Sequence, residues 1–155
     1  MGAEQGKKVM LLGGKAATAE RATAVVRSQY SGVSVEQDPG AVDIRQETKA
    51  EKQRVMGKIR AFKPDMLFVG YGAPWQEQWI ADNRLELSKI GVKIVMGVGG
   101  AFAMIAGTLK RAPVWMREAG LEWLWRLVQE PWRWKRQARL FTYWGMVGRE
   151  LFRVY

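Results

Sequence analysis

The sequence predicts an α/β fold: a parallel sheet with helices on both faces, followed by a C-terminal helical appendage. Three observations predict it. Short, continuous apolar runs alternate with amphipathic stretches from Val9 to Ile105. The run ends carry glycine, as strand-to-helix turns require. Beyond residue 109 the alternation stops, and charge and indole concentrate together. Ten of the 25 Lys and Arg residues and six of the eight Trp residues fall there. The boundary is therefore set between a sheet domain, 1–109, and a basic, Trp-rich helical appendage, 110–155.

The elements follow in order. Val9 to Leu12 is a short apolar strand ending at Gly13-Gly14. Ala16 to Tyr30 is helical, with Ala17, Ala22, Val25 and Val26 able to share a face. Val33 to Val35 is a weak strand closed by Asp38-Pro39-Gly40. Glu47 to Phe62 is a helix with Val55, Ile59 and Phe62 one turn apart. Met66 to Val69 is a buried strand running out through Gly70-Tyr71-Gly72, and Trp75 to Leu87 is the next helix. Val92 to Met96 is a fourth strand, ending at Gly97-Val98-Gly99-Gly100 before a short helix from Ala101 to Ile105. In the appendage, Val114 to Ala119 and Leu121 to Gln129 are short helices stopped by Gly120 and Pro131. Trp132 to Arg153 reads as one long helix opened by Pro131. Trp115 and Trp123 are expected to pack the appendage onto the domain.

Composition excludes several chemistries. The chain of 155 residues has no Cys and no His. Thiolate nucleophiles, disulfides, Cys or His zinc sites and His-dependent triads are ruled out. Acid–base work would fall to Asp, Glu, Lys or Tyr. Carboxylate-bound Mg²⁺ stays open by composition, but no metal site and no cofactor is expected. The net charge of +10 favours an anionic partner: a phosphorylated ligand, an acidic lipid surface or a nucleic acid. No apolar segment precedes Val9, so no signal peptide is expected, and no run approaches the about 18 apolar residues of a membrane span. The expected location is cytoplasmic, peripheral to a membrane.

In an open parallel sheet, ligands bind beyond the carboxyl ends of the strands. Here those ends are Gly13-Gly14-Lys15, Asp38-Pro39-Gly40, Gly72-Ala73-Pro74 and Gly97 to Gly100. Each can bring backbone N–H groups close to a phosphate. Gly13, Gly14, Lys15, Gly72, Gly99 and Gly100 are the candidate contacts. Gly13-Gly14-Lys15 lacks the spacing and the Ser or Thr of a Walker loop. It reads equally well as a tight turn with a solvated Lys. The Gly97-x-Gly99 string has Phe102 where a dinucleotide fingerprint has its third Gly, which argues against NAD. Gln76 and Glu77 open a helix at this edge, where polar side chains can bind sugar hydroxyls or simply suit the helix dipole. Asp38, Asp43 and Glu77 are the local carboxylates, with a helix-capping role expected for Glu77.

In the appendage, Arg126, Arg133 and Arg136 suit bidentate phosphate binding, or form a solvated basic face. Trp132, Trp134 and Trp144 are candidate membrane contacts, since indoles favour the headgroup zone and neighbouring cations favour anionic lipid. The same Arg and Trp residues would also serve a nucleic-acid-binding tail.

Four strings in order carry a resemblance: Gly72-Ala-Pro-x-Gln-Glu-x-Trp79, Gly97-Val-Gly-Gly-Ala-Phe102, Lys110-Arg-Ala-Pro113, and Gly120-Leu-Glu-Trp-Leu-Trp-Arg126 running to Gln129-Glu-Pro131. The chain resembles the WecG/TagA/CpsF glycosyltransferase family from about Lys8 to Arg139. The resemblance implies a Rossmann-like fold, with 1–109 as part of a nucleotide-sugar-binding domain. It implies inverting transfer of N-acetylmannosamine or its uronic acid from a UDP donor to a polyprenyl-diphosphate-linked acceptor. The products would feed teichoic acid or other surface polysaccharide. It implies an appendage that docks on the inner face of the cell membrane, with Arg126, Arg133 and Arg136 on the donor diphosphate and Gln76 in the pocket. No nucleic acid is then expected as a partner, and a homo-oligomer is compatible with it.

The chain departs from the family pattern at three points. Family members carry a further segment ahead of the strand matching Val9, and the expected Asp base lies there, outside this chain. The catalytic residue is therefore unknown. Ala103 stands where an Asp is usual, and Ala41 where a Tyr is common. Both replacements remove expected nucleotide contacts, so a noncatalytic remnant or binding module of the same fold stays open beside the enzyme.

Overall fold

The computed structural model describes residues 6–14, 16–131, 134 and 149. The chain forms two compact units, Met1–Leu109 and Lys110–Tyr155.

The first unit is built on four parallel strands: β1 (Lys8–Leu12), β2 (Ser34–Asp38), β3 (Met66–Val69) and β4 (Ile94–Gly97), in the order β2-β1-β3-β4. Register is continuous across the sheet, with Leu12 opposite Asp38 on one side and Val69 on the other, and Val69 opposite Gly97. Because side chains alternate along a strand, each central strand feeds two cores. Met10, Leu12, Leu67 and Val69 point to one face, with Val55, Met56 and Ile59 of helix α2 (Lys49–Phe62) and Trp79 and Leu87 of α3 (Trp75–Ile90). Val9 and Leu11 point to the other face, with Ala22 of α1 (Ala16–Gln29) and Phe102 of α4 (Ala101–Ile105). The sheet is thus covered on both faces, and the α/β, Rossmann-like reading holds. Each fully enclosed Leu, Ile or Met contributes about 1.5–3 kcal/mol of transfer free energy.

Local chemistry sets the boundaries. Thr48 caps α2: its hydroxyl accepts from Glu51 N–H at 3.2 Å, and Glu51 accepts from Thr48 N–H at 2.9 Å. This reciprocal box starts the helix two residues after the expected Glu47. α2 ends at Lys63 in the left-handed region, ahead of Pro64. The strand expected over Val33–Val35 runs on to Asp38, because pairing with β1 continues through five residues. The fourth strand begins at Ile94 rather than Val92; Val92 is buried but lies ahead of the ladder. The buried face of α1 is Ala19, Ala22 and Thr23, and Ala17 is exposed, contrary to the expected grouping. Ala17 and Ala22 are five residues apart and so do not stack on successive turns.

The second unit holds α5 (Val114–Glu118) and α6 (Glu122–Gln129). Gln129 clamps the backbone of Lys110, accepting from its N–H at 2.9 Å and donating to its carbonyl at 2.8 Å. Trp125 Nε1 donates to the same carbonyl at 3.0 Å. Ala112 and Met116 are buried. Trp115 and Trp123 are not packed away as expected: they are 64% and 51% exposed. Helices of five and eight residues offer too little inner surface to cover two indoles as well as Met116. The reading of Trp132 to Arg153 as one helix lies outside the described residues, apart from Trp134 and Arg149. Among the described residues no helix is long and apolar enough to cross a membrane.

Candidate functional site

All four strands deliver their carboxyl ends to one edge of the sheet, and a hollow of about 610 Å³ opens there. Its walls are Gly14 after β1, the loop Pro39–Arg45 after β2, Gly70 and Tyr71 after β3, and Trp75 at the start of α3.

Tyr71 is the floor. Its ring crosses from β3 over Gly13 and reaches Gly40. A Cβ on Gly13 would stand 2.7 Å from the ring, and one on Gly40 would run into the hydroxyl. Both glycines also have positive φ, +88° and +75°, so backbone and space together demand glycine there. The ring meets Trp79 edge-on at 5.8 Å, and Trp79 Nε1 donates to Glu47 at 3.3 Å. The Tyr71 hydroxyl lies beside the Ala41 backbone without a well-formed hydrogen bond. Burial pushes its pKa well above the ordinary tyrosine value, so it stays a neutral phenol.

The loop after β2 is tied down from α2. Asp38 is fully buried. One carboxylate oxygen accepts from Gly40 N–H at 2.7 Å. The other accepts from Arg54 at 2.6 Å and from Lys58 at 2.8 Å. Arg54 also donates to the Gly40 carbonyl at 2.7 Å. Burial alone would raise the Asp38 pKa, but Arg54, Lys58 and the Gly40 amide outweigh it and hold the carboxyl below its usual range. Asp43 forms a two-pronged pair with Arg45 at the rim and is likewise held low. Both carboxylates are ionised, Asp38 held by Arg54 and Lys58 and Asp43 by Arg45. Among the described residues no three carboxylates gather as a metal site.

On the β3–β4 side, Gln76 joins two loops. It is buried, and its Oε1 accepts from Gly99 N–H at 2.9 Å and from Gly72 N–H at 3.2 Å. Its Nε2 donates to Glu77 at 2.7 Å. Glu77 therefore orients Gln76 and makes no helix cap; the N-cap residue is Pro74, which has no side-chain bond, and the Ala73–Pro74 peptide is cis.

The expected contacts divide accordingly. Gly14 lines the hollow, whereas Gly13 is buried beneath Tyr71. Gly72, Gly99, Gln76 and Glu77 form the neighbouring polar bridge rather than the hollow wall. Gly100 has open space around its Cα and precedes α4. Arg126 lies on α6, half-buried, in the second unit. Trp134 is exposed. Lys15, Trp132, Arg133, Arg136 and Trp144 lie outside the described residues. Glu122 sits 4.0 Å from Arg111. Sequence reasoning missed Tyr71, Arg54, Lys58 and Trp75. The signal for Arg54 and Lys58 was available: with Glu51 they recur at three- and four-residue spacing on one helix face.

A hollow at the carboxyl edge of a doubly covered parallel sheet, walled by aromatic rings and a charged loop, lies where Rossmann-like α/β folds bind ligands. Sequence comparison makes the class specific. The chain belongs to the Glycosyl transferase WecG/TagA/CpsF family, whose match covers residues 1–155. A relative from Staphylococcus aureus (strain MRSA252) is 37% identical over 134 residues, covering 86% of this chain and 48% of the relative. It is named N-acetylglucosaminyldiphosphoundecaprenol N-acetyl-beta-D-mannosaminyltransferase. Proteins of the same name from strains MW2 and NCTC 8325 / PS 47 are 36% identical over the same length. The chain thus spans about half the length of the curated relatives it matches.

Proposed function

We propose that this chain is the donor-binding part of a glycosyltransferase that moves an N-acetylmannosamine-type sugar from a UDP donor to a polyprenyl-diphosphate-linked acceptor. The observation that carries the reading is the hollow over Tyr71, at the sheet edge where open α/β folds bind ligands. Trp75 and Tyr71 offer aromatic surface for a flat base. The Gly14 and Gly100 N–H groups suit phosphate and sugar oxygens, whereas those of Gly13 and Gly99 are donated to the Asp38 carbonyl and to Gln76. Arg126, Arg133 and Arg136 are assigned to the diphosphate by their match to the family, where they would stabilise a UDP leaving group. By the likeness to the family, the base that activates the acceptor hydroxyl is an Asp outside this chain; Asp38, Asp43 and Glu77 are engaged by Arg54 and Lys58, by Arg45 and by Gln76.

The appendage is assigned to an anionic membrane surface on the cytoplasmic side. Trp115, Trp123, Val128 and Trp134 stand exposed beside a cationic excess, the composition of an interfacial anchor.

Calorimetric titration of the chain with UDP tests the donor reading. Saturable heat, lost on Trp75→Ala, is the expected result. An absence of heat would favour the binding-module alternative, in which Ala41 and Ala103 have emptied the pocket of its nucleotide contacts.

A further inference from the structure

Asp38 occupies the end of the second strand, where dinucleotide-binding sheets place an acidic residue on ribose hydroxyls. Here it faces inward. Both its oxygens are taken by protein donors: Gly40 N–H on one, Arg54 and Lys58 on the other. It is fully buried, while Arg54 and Lys58 are 42% and 50% exposed. The carboxylate is the fixed member and the cations close over it.

The backbone beyond it is held by the same helix face. Arg54 donates to the Gly40 carbonyl at 2.7 Å, and Glu51 accepts from Val42 N–H at 3.1 Å. Gly40 thus has both its N–H and its carbonyl bound within the cluster. It cannot shift toward the sheet, because the Tyr71 hydroxyl occupies the space a Cβ would need. Glu51, Arg54 and Lys58 lie at successive turns of α2, so one rigid element fixes the whole segment.

We propose that Arg54 and Lys58, acting through Asp38 and the Gly40 carbonyl, and Glu51, acting through Val42 N–H, are positioning residues that set the shape of the nucleoside end of the hollow by fixing the loop Pro39–Val42. This rests on the donor reading for its ligand, but not for the lock itself. A fixed loop removes the ordering entropy that a ligand would otherwise have to supply.

The test uses the full chain. Arg54→Met keeps the stem and removes the fork; Glu51→Ala removes only the Val42 anchor and the helix box. Amide hydrogen exchange at Gly40, Ala41 and Val42 is measured beside UDP titration, with circular dichroism confirming the fold. In folded Arg54→Met, the Gly40 and Val42 amides should lose protection, and UDP should bind about tenfold or more weakly, the size of a lost charged hydrogen bond. Arg54→Lys should recover part of both. If Arg54→Met fails to fold, Glu51→Ala should still lose protection at Val42. Unchanged protection in a folded variant overturns the lock. Lost protection with undiminished UDP affinity overturns its role in shaping the site. If the unaltered chain itself binds no UDP while Arg54→Met loses protection, the donor reading fails and the lock stands.

Discussion

In the sheet unit, Met10, Leu12, Ile59 and Leu67 are fully enclosed between two helical layers. In the appendage, Trp115, Trp123 and Val128 stand 64%, 51% and 68% exposed. Charge divides in the same way. The sheet unit pairs its buried carboxylate with two cations, while the appendage carries ten cationic residues against four carboxylates. One region encloses a two-sided core and pairs its buried carboxylate within itself, although Val42 and Leu85 lie exposed at its surface. Among the described residues of the other, these two indoles and Val128 face solvent, the surface that the proposed membrane contact would use.

The largest expected effect comes from breaking the enclosed side. Ile59→Ala removes a fully buried side chain and should cost about 2–5 kcal/mol in urea unfolding. A loss below about 1 kcal/mol would mean that the α2 face is not the core. Gly40→Ala should be next. It combines about 1–2 kcal/mol of left-handed backbone strain with overpacking against Tyr71, so the unfolding midpoint should fall clearly. Gln76→Ala leaves the Gly72 and Gly99 amides without their partner. A loss of about 1–3 kcal/mol is expected, with faster amide exchange at both glycines. If exchange there were unchanged, Gln76 would not join the two loops.

Acid unfolding sharpens the electrostatic half of the contrast. Asp38 has its pKa lowered in the folded state, so its contribution is present above the unfolded value of about 3.9 and fades as pH falls through the folded one. Asp38→Asn should therefore lose stability at neutral pH and show a shallower acid limb below about pH 4. Parallel curves for the two proteins would contradict the assignment. The smallest stability effect belongs to the appendage. Trp115→Ser with Trp123→Ser should shift the unfolding free energy by no more than about 0.5 kcal/mol per site. The same double variant should sediment less with vesicles containing anionic lipid, and an unaltered vesicle fraction would remove these two indoles from the membrane surface.

The sequence by itself determined the class of fold, the strand and helix series as far as Gln129, and the family. These depend on local period and on ordered strings such as Gly72 to Trp79, which a linear reading can see. It also pointed to the glycine-rich strand ends. Only the tertiary structure decided what those ends hold. Gly13 and Gly40 make room for Tyr71, and Asp38 turns inward because Arg54 and Lys58, sixteen and twenty residues on, arrive beside it. The exposed state of Trp115 and Trp123 was equally invisible, since an indole suits a core and an interface alike. Period and composition say which residues can be buried. Which ones are depends on the neighbours that folding brings to them, and those neighbours lie across strands rather than along the chain.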